Sequence, residues 1–146
     1  MLGWAGLGVT TSVCKLGDYA TNEEGTSHFT QALYLHATIV HANVASGKRV
    51  VDCGSKACDF VSGMPRATSL EDDALASRLA ESCTFTSGGD EHGVLLGVAR
   101  DDLPVGATVQ LVPSHCDPTV NLHNFIVGIR GGAVERIFEV DARGPG

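Results

Sequence analysis

Phe125-Ile126-Val127-Gly128-Ile129-Arg130-Gly131-Gly132-Ala133-Val134-Glu135-Arg136-Ile137-Phe138-Glu139-Val140 is the stretch that decides the fold class. Two runs rich in β-branched and aromatic residues, 125–130 and 134–140, flank a Gly-Gly pair. Glycines at both central positions tolerate the positive φ angles that a tight hairpin turn demands, so the stretch predicts two strands joined by a two-residue loop. Working back along the chain, short apolar runs at 83–86, 94–99 and 108–112 also predict strands. They are separated by the turn signals Ser87-Gly88-Gly89-Asp90 and Asp101-Asp102-Leu103-Pro104.

Further upstream, residues 32–40 place Leu33, Leu35, Ala37 and Ile39 on one face at period two. Gly47-Lys48-Arg49 then leads into a short strand at Val50-Val51. One helix is expected: Ser69-Leu70-Glu71-Asp72 offers a cap and acidic first-turn residues for a helix running to about Ala80. The 18 glycines agree, because turns use glycine heavily and helix interiors avoid it. The expectation is a mainly β domain, an antiparallel barrel or sandwich with one short helix. It occupies residues 28–146, with 1–27 as a connecting segment.

A chain of 146 residues suits one domain. Its net charge of −7, with only 10 Lys plus Arg and no basic run, argues against nucleic acid, whose phosphates need clustered cations. No apolar run approaches the roughly 18 residues needed to span a bilayer. The apolar start Met1-Leu2-Gly3-Trp4 lacks the cationic opening of a signal peptide. Five cysteines without a CxxC pair suit a reducing compartment, so the cytoplasm is expected.

Pro113-Ser114-His115-Cys116-Asp117-Pro118-Thr119 carries the chemistry. In an extended segment His115 and Asp117 point to the same side, about 6 to 7 Å apart at the backbone. Imidazole nitrogen with carboxylate oxygen suits a divalent ion such as Zn²⁺ or Mn²⁺, and two protein ligands leave open positions of the kind catalysis uses. The plainer alternative is a turn opening at Asp117-Pro118, with His115 a polar strand-end residue. Cys116 points the other way and reads as packing. His92, in Glu91-His92-Gly93, is placed to act as a third ligand, a base or a hydrogen-bond partner of the site; the alternative is a loop histidine. Asp52, Lys56 and Asp59 form a polar turn after a strand, where Lys56 either meets a substrate or partner domain or is solvated. His36 and His41 lie five apart on a strand-like run and make a poor ligand pair, and His28 and His123 have no evident partners. No phosphate loop, G-x-S-x-G elbow or H-E-x-x-H is present.

The segment from Pro113 to Leu122 resembles the metal-site segment of the D-serine dehydratase/D-threonine aldolase family. The same family is suggested by Val51-Asp52-Cys53-Gly54-Ser55-Lys56-Ala57, Ser62-Gly63-Met64-Pro65, Glu91-His92-Gly93, Pro104-Val105-Gly106 and Val140-Asp141-Ala142-Arg143-Gly144. These blocks stand in the family's order over about residues 17 to 146. The resemblance implies the C-terminal β-domain of a fold-type III pyridoxal-phosphate lyase, without the (β/α)₈ barrel that carries the cofactor. Residues 1–27 then read as a connection or a remnant of that barrel. Lys15, Lys48 and Lys56 are the only lysines, and none matches the family's Schiff-base lysine. By this resemblance His115 and Asp117 are the metal ligands, holding Mn²⁺, Zn²⁺ or Mg²⁺, and pyridoxal phosphate is expected only where a barrel domain is supplied. The partner is a D-3-hydroxy amino acid together with that barrel, and a homodimer is compatible with it. The family's dehydratases use His-x-Cys and its D-threonine aldolases His-x-Asp, so Asp117 leans to the aldolase side. A domain that keeps the fold and lacks catalysis is the competing reading.

Overall fold

The computed structural model describes residues 6–10, 14–15 and 30–144. In chain order the elements are β1 (Gly6–Thr10), β2 (Cys14–Lys15), β3 (Thr30–Gln31), β4 (Leu33–Asn43), β5 (Lys48–Val51), β6 (Arg66–Thr68), α1 (Asp73–Ser82), β7 (Thr84–Ser87), β8 (Gly93–Leu96), β9 (Thr108–Val112), α2 (Cys116–Val120), β10 (Phe125–Arg130) and β11 (Ala133–Glu139). Of the stretch read as a connection, Gly6–Thr10 runs as a strand between β4 and β10, and most of the remainder lies outside the described residues.

The long strand β4 organises the sheet. Its first half pairs with β1 on one edge and β9 on the other, and its second half pairs with β5. From there one arm runs β5-β8-β7 and the other runs β9-β6. β6 and β7 approach each other without pairing, and α1 links them in sequence, so the sheet forms a nearly closed barrel. All pairings within it are antiparallel except β1 with β10.

Period-two patterning on β4 produces the core. Leu33, Leu35, Ala37 and Ile39 are each at most 1% exposed and pack with Val51, Leu95, Val109, Leu111, Phe85 and Leu79. Apolar surface on each arm of the sheet is thereby removed from water against the others, the main favourable term in such a fold. Beyond Ile39 the register with β5 shifts at Val40, and Val40 and His41 are both exposed there. Such a bulge bends the strand and increases its twist, as a closing barrel needs.

The expected hairpin is present: Arg130 pairs with Ala133, and Gly131 and Gly132 have φ of 56° and 77°. α1 starts where its cap was expected, the Asp72 carboxylate accepting from Leu75 N–H at 2.9 Å. One expectation is corrected. Among the described residues there are two α-helices rather than one, because Cys116–Val120 turns as α2 instead of extending. Pro118 sits in its first turn, where a missing N–H costs no hydrogen bond, and Asp117 suits the positive end of a helix.

Candidate metal centre

His115 is the last extended residue before α2, with φ −137° and ψ 122°, and Asp117 lies in the first turn. The two side chains therefore do not meet as neighbours on one face of a strand. They meet around the start of a helix, with His115 Nε2 3.9 Å from Asp117 Oδ2. His115 is mostly buried, its side chain 21% exposed, and Asp117 is open to solvent at 82%. Two bonds of about 2.1 Å to one ion, at tetrahedral or octahedral angles, need the donors about 3.0–3.4 Å apart. An exposed aspartate closes that difference by a small side-chain rotation, so the donor pair fits a divalent ion.

Cys116 does not simply turn away. It is buried, and its thiol donates to Asp117 Oδ1 at 3.0 Å, which holds one carboxylate oxygen while Oδ2 faces the imidazole. On the other side of His115, Nδ1 lies 3.1 Å from Ser62 Oγ.

The segment 52–63 brings the scattered motifs to this end of the barrel. Gly54 rests on the backbone of Gly89 and Asp90, so closely that a Cβ would lie 2.3 Å from Asp90 O. Ser55 and Lys56 N–H groups donate to the Gly89 and Asp90 carbonyls at 3.1 Å, and the Lys56 ammonium pairs with Glu91, which raises the lysine pKa. Further along, Asp59 N–H donates to Thr119 Oγ1, His123 Nε2 donates to Ala57 O at 2.8 Å, and Ser114 Oγ donates to Gly63 O at 2.7 Å. Segment 52–63 is thus bound to the His92 loop on one side and to the α2 segment on the other. His123, without an evident partner in the sequence, fastens this arrangement.

His92 stands exposed at the end of the Ser87–Glu91 loop, its carbonyl accepting from Gly88 N–H at 2.9 Å. Among the described residues no three His, Cys, Asp or Glu side chains converge as a metal cluster. His36 is engaged by Gln110, with Nδ1 and Nε2 3.2 Å apart. His28 lies outside the described residues. A hydrogen bond with Cys58, with burial behind it, pushes the Cys53 thiol far up, and burial raises Cys83 to about 11. Neither suits a nucleophile at neutral pH. The contact that sequence reasoning missed is that of Ser62 with His115, the serine having been quoted within a motif but assigned no task.

Residues 32–129 match the family model described as "Putative serine dehydratase domain". The chain belongs to this family. It is 38% identical over 132 residues to a D-threonine aldolase of an Arthrobacter species, a match covering 88% of this chain and 31% of that protein. It is 40% identical over 98 residues to the 3-hydroxy-D-aspartate aldolase of Paracoccus denitrificans, covering 66% and 22%. Among solved structures, the D-threonine aldolase of Filomicrobium marinum superposes with a TM-score of 0.67 at 31% identity, over 86% of this chain and 33% of that one. A D-threo-3-hydroxyaspartate dehydratase of a Delftia species shares the fold, with a TM-score of 0.58 at 20% identity over 77% and 33%. The chain therefore spans about a third or less of the length of these serine dehydratase-domain relatives. Among the described residues no helix is long and apolar enough to cross a membrane.

Proposed function

We propose that this chain is the metal-binding β-domain of a pyridoxal-phosphate-dependent lyase acting on D-3-hydroxy amino acids. Two relatives named as aldolases and the carboxylate at Asp117 favour carbon–carbon cleavage over dehydration. The observation that carries the reading is the approach of His115 Nε2 and Asp117 Oδ2 to 3.9 Å in a chain of this family. His115 and Asp117 hold the ion, which supplies Lewis acidity that lowers the pKa of a substrate hydroxyl. A histidine and a carboxylate suit Mn²⁺ or Mg²⁺ as well as Zn²⁺. His92 is assigned a proton-handling task near the substrate, on a loop tied to segment 52–63.

The cofactor belongs to a barrel domain not contained in these residues. Of the three lysines, Lys56 is committed to Glu91. Val61, at 95% exposed, and the exposed Val134 and Ile137 are the sort of apolar surface a neighbouring domain covers. We place the β-domain at residues 28–146 with 1–27 leading into it, Gly6–Thr10 of that lead adding a strand to the same sheet. Free buried thiols at Cys53 and Cys58 fit a reducing cytoplasm.

The test is metal titration of the purified chain, by calorimetry with Mn²⁺ and Zn²⁺. Binding should occur and should fall at least about 100-fold in His115→Ala and in Asp117→Ala. Undiminished binding in both variants would sink the assignment. The same chain should leave D-threonine uncleaved until a pyridoxal-phosphate barrel of the family is added; cleavage by the chain alone would overturn the division of labour.

A further inference from the structure

We infer that Ser62 is a positioning residue that selects the metal-binding tautomer of His115. A neutral imidazole carries its proton on one nitrogen, and only the other can bind an ion. Nδ1 of His115 faces Ser62 Oγ at 3.1 Å, while Nε2 faces Asp117. Ser62 Oγ is placed to accept from Nδ1–H, which leaves the lone pair on Nε2, the nitrogen directed at the second ligand. The opposite arrangement, Ser62 donating to Nδ1 with Nε2–H turned to Asp117, is the one the test below excludes. An isolated imidazole has no such bias toward Nδ1–H.

Ser62 is held for this task by a ring of hydrogen bonds. The Asp59 carboxylate accepts from Val61 N–H at 3.3 Å and from Ser62 N–H at 3.4 Å, which shapes the turn that presents the hydroxyl. Asp59 N–H donates to Thr119 Oγ1 at 3.2 Å, and the Thr119 hydroxyl donates to the His115 carbonyl at 2.8 Å. Thr119 is fully buried. The ring runs from the imidazole through Ser62, Asp59 and Thr119 back to the His115 backbone. It fixes the serine against the histidine across 53 residues of sequence. Partners of this kind orient a ligand and are worth 10- to 100-fold in metal affinity in general.

The inference rests on the metal reading of His115 and Asp117, and the experiment separates the two. Long-range ¹H–¹⁵N spectra of the whole chain without metal, at about pH 8 where imidazole is neutral, show which ring nitrogen of His115 carries the proton. The wild type should carry it on Nδ1. Ser62→Ala should move it toward Nε2 and weaken Mn²⁺ or Zn²⁺ binding by roughly 10-fold, and Ser62→Thr should restore both. A wild-type proton on Nε2 would overturn the role of Ser62 without any variant. So would a Ser62→Ala chain with unchanged tautomer and affinity. A wild-type chain that binds no ion would instead overturn the metal reading, and the wild-type tautomer would then decide for or against Ser62 by itself.

Discussion

Gly54 and Asp90 touch backbone to backbone: a Cβ on Gly54 would sit 2.3 Å from the carbonyl oxygen of Asp90 and 2.5 Å from that of Gly89. No rotamer change relieves such a contact, because both sides are main chain. Gly54→Ala should cost about 2–3 kcal/mol, in line with overpacking, read as a lower urea midpoint at unchanged slope. Because segment 52–63 also carries Ser62, metal affinity should fall in the folded variant. A Gly54→Ala chain as stable as wild type would show that the two loops separate freely.

That contact marks a limit of what the sequence displays. The β4 face was legible, since Leu33, Leu35, Ala37 and Ile39 alternate and all four are buried. The Gly131-Gly132 hairpin and the Asp72 cap were legible because each is set by local backbone chemistry. The pairing of β4 with both β1 and β9 depends on distant partners and has no local signature. At the site, His115 and Asp117 were visible as a spaced pair, but their extended geometry was not what formed. Pro118 and Asp117 suit a first helical turn as well as a bend, and tertiary context decided between them. Ser62 was hidden for another reason: a serine acquires a role only when another segment brings a nitrogen to it.

Arg49 is a second point of control. It is 1% exposed and donates to the carbonyls of Lys48, Ala99, Arg100, Asp102 and Leu103, at 2.8 to 3.2 Å. This fork binds the loop in which Leu103 takes a positive φ of 50°. A lysine offers three donors from one atom and cannot span those carbonyls. Arg49→Lys should therefore destabilise by about 1–3 kcal/mol, through the buried Leu103 carbonyl and partly buried loop carbonyls left without donors. Equal thermal stability of the two chains would refute the loop-binding role.

Asp102 also accepts two hydrogen bonds from Arg78 on α1, both 2.8 Å, and this pairing holds its carboxyl below the usual aspartate value. A depressed folded-state pKa stabilises above the unfolded value of about 3.9 and ceases to do so as pH falls through the folded one. The wild type should melt higher than Arg78→Ala from pH 5 to 8, with the gap closing below about pH 4. A gap that is constant down to pH 2 would assign the effect to arginine packing. Salt at 1 M should narrow the gap at neutral pH, because the guanidinium is exposed and screened.

The nature of the proposed second ligand, Asp117, gives a test that metal loss alone does not. Asp117 presents a hard oxygen on a solvent-open side chain, already oriented through the Cys116 thiol. A thiolate at the same position is softer and prefers Zn²⁺ over Mn²⁺ and Mg²⁺. Asp117→Cys should keep a site, since His115 and Ser62 are untouched, but raise the Zn²⁺ over Mn²⁺ affinity ratio by at least about tenfold. Calorimetric titrations of both ions into wild type and variant measure it directly. The variant also removes the Oδ1 acceptor of the neighbouring Cys116 thiol, so Cys116→Ala is needed beside it to show that the new thiolate comes from position 117. If the ratio stays where the wild type has it, the side chain at 117 does not touch the ion, and the ligand pair is wrong.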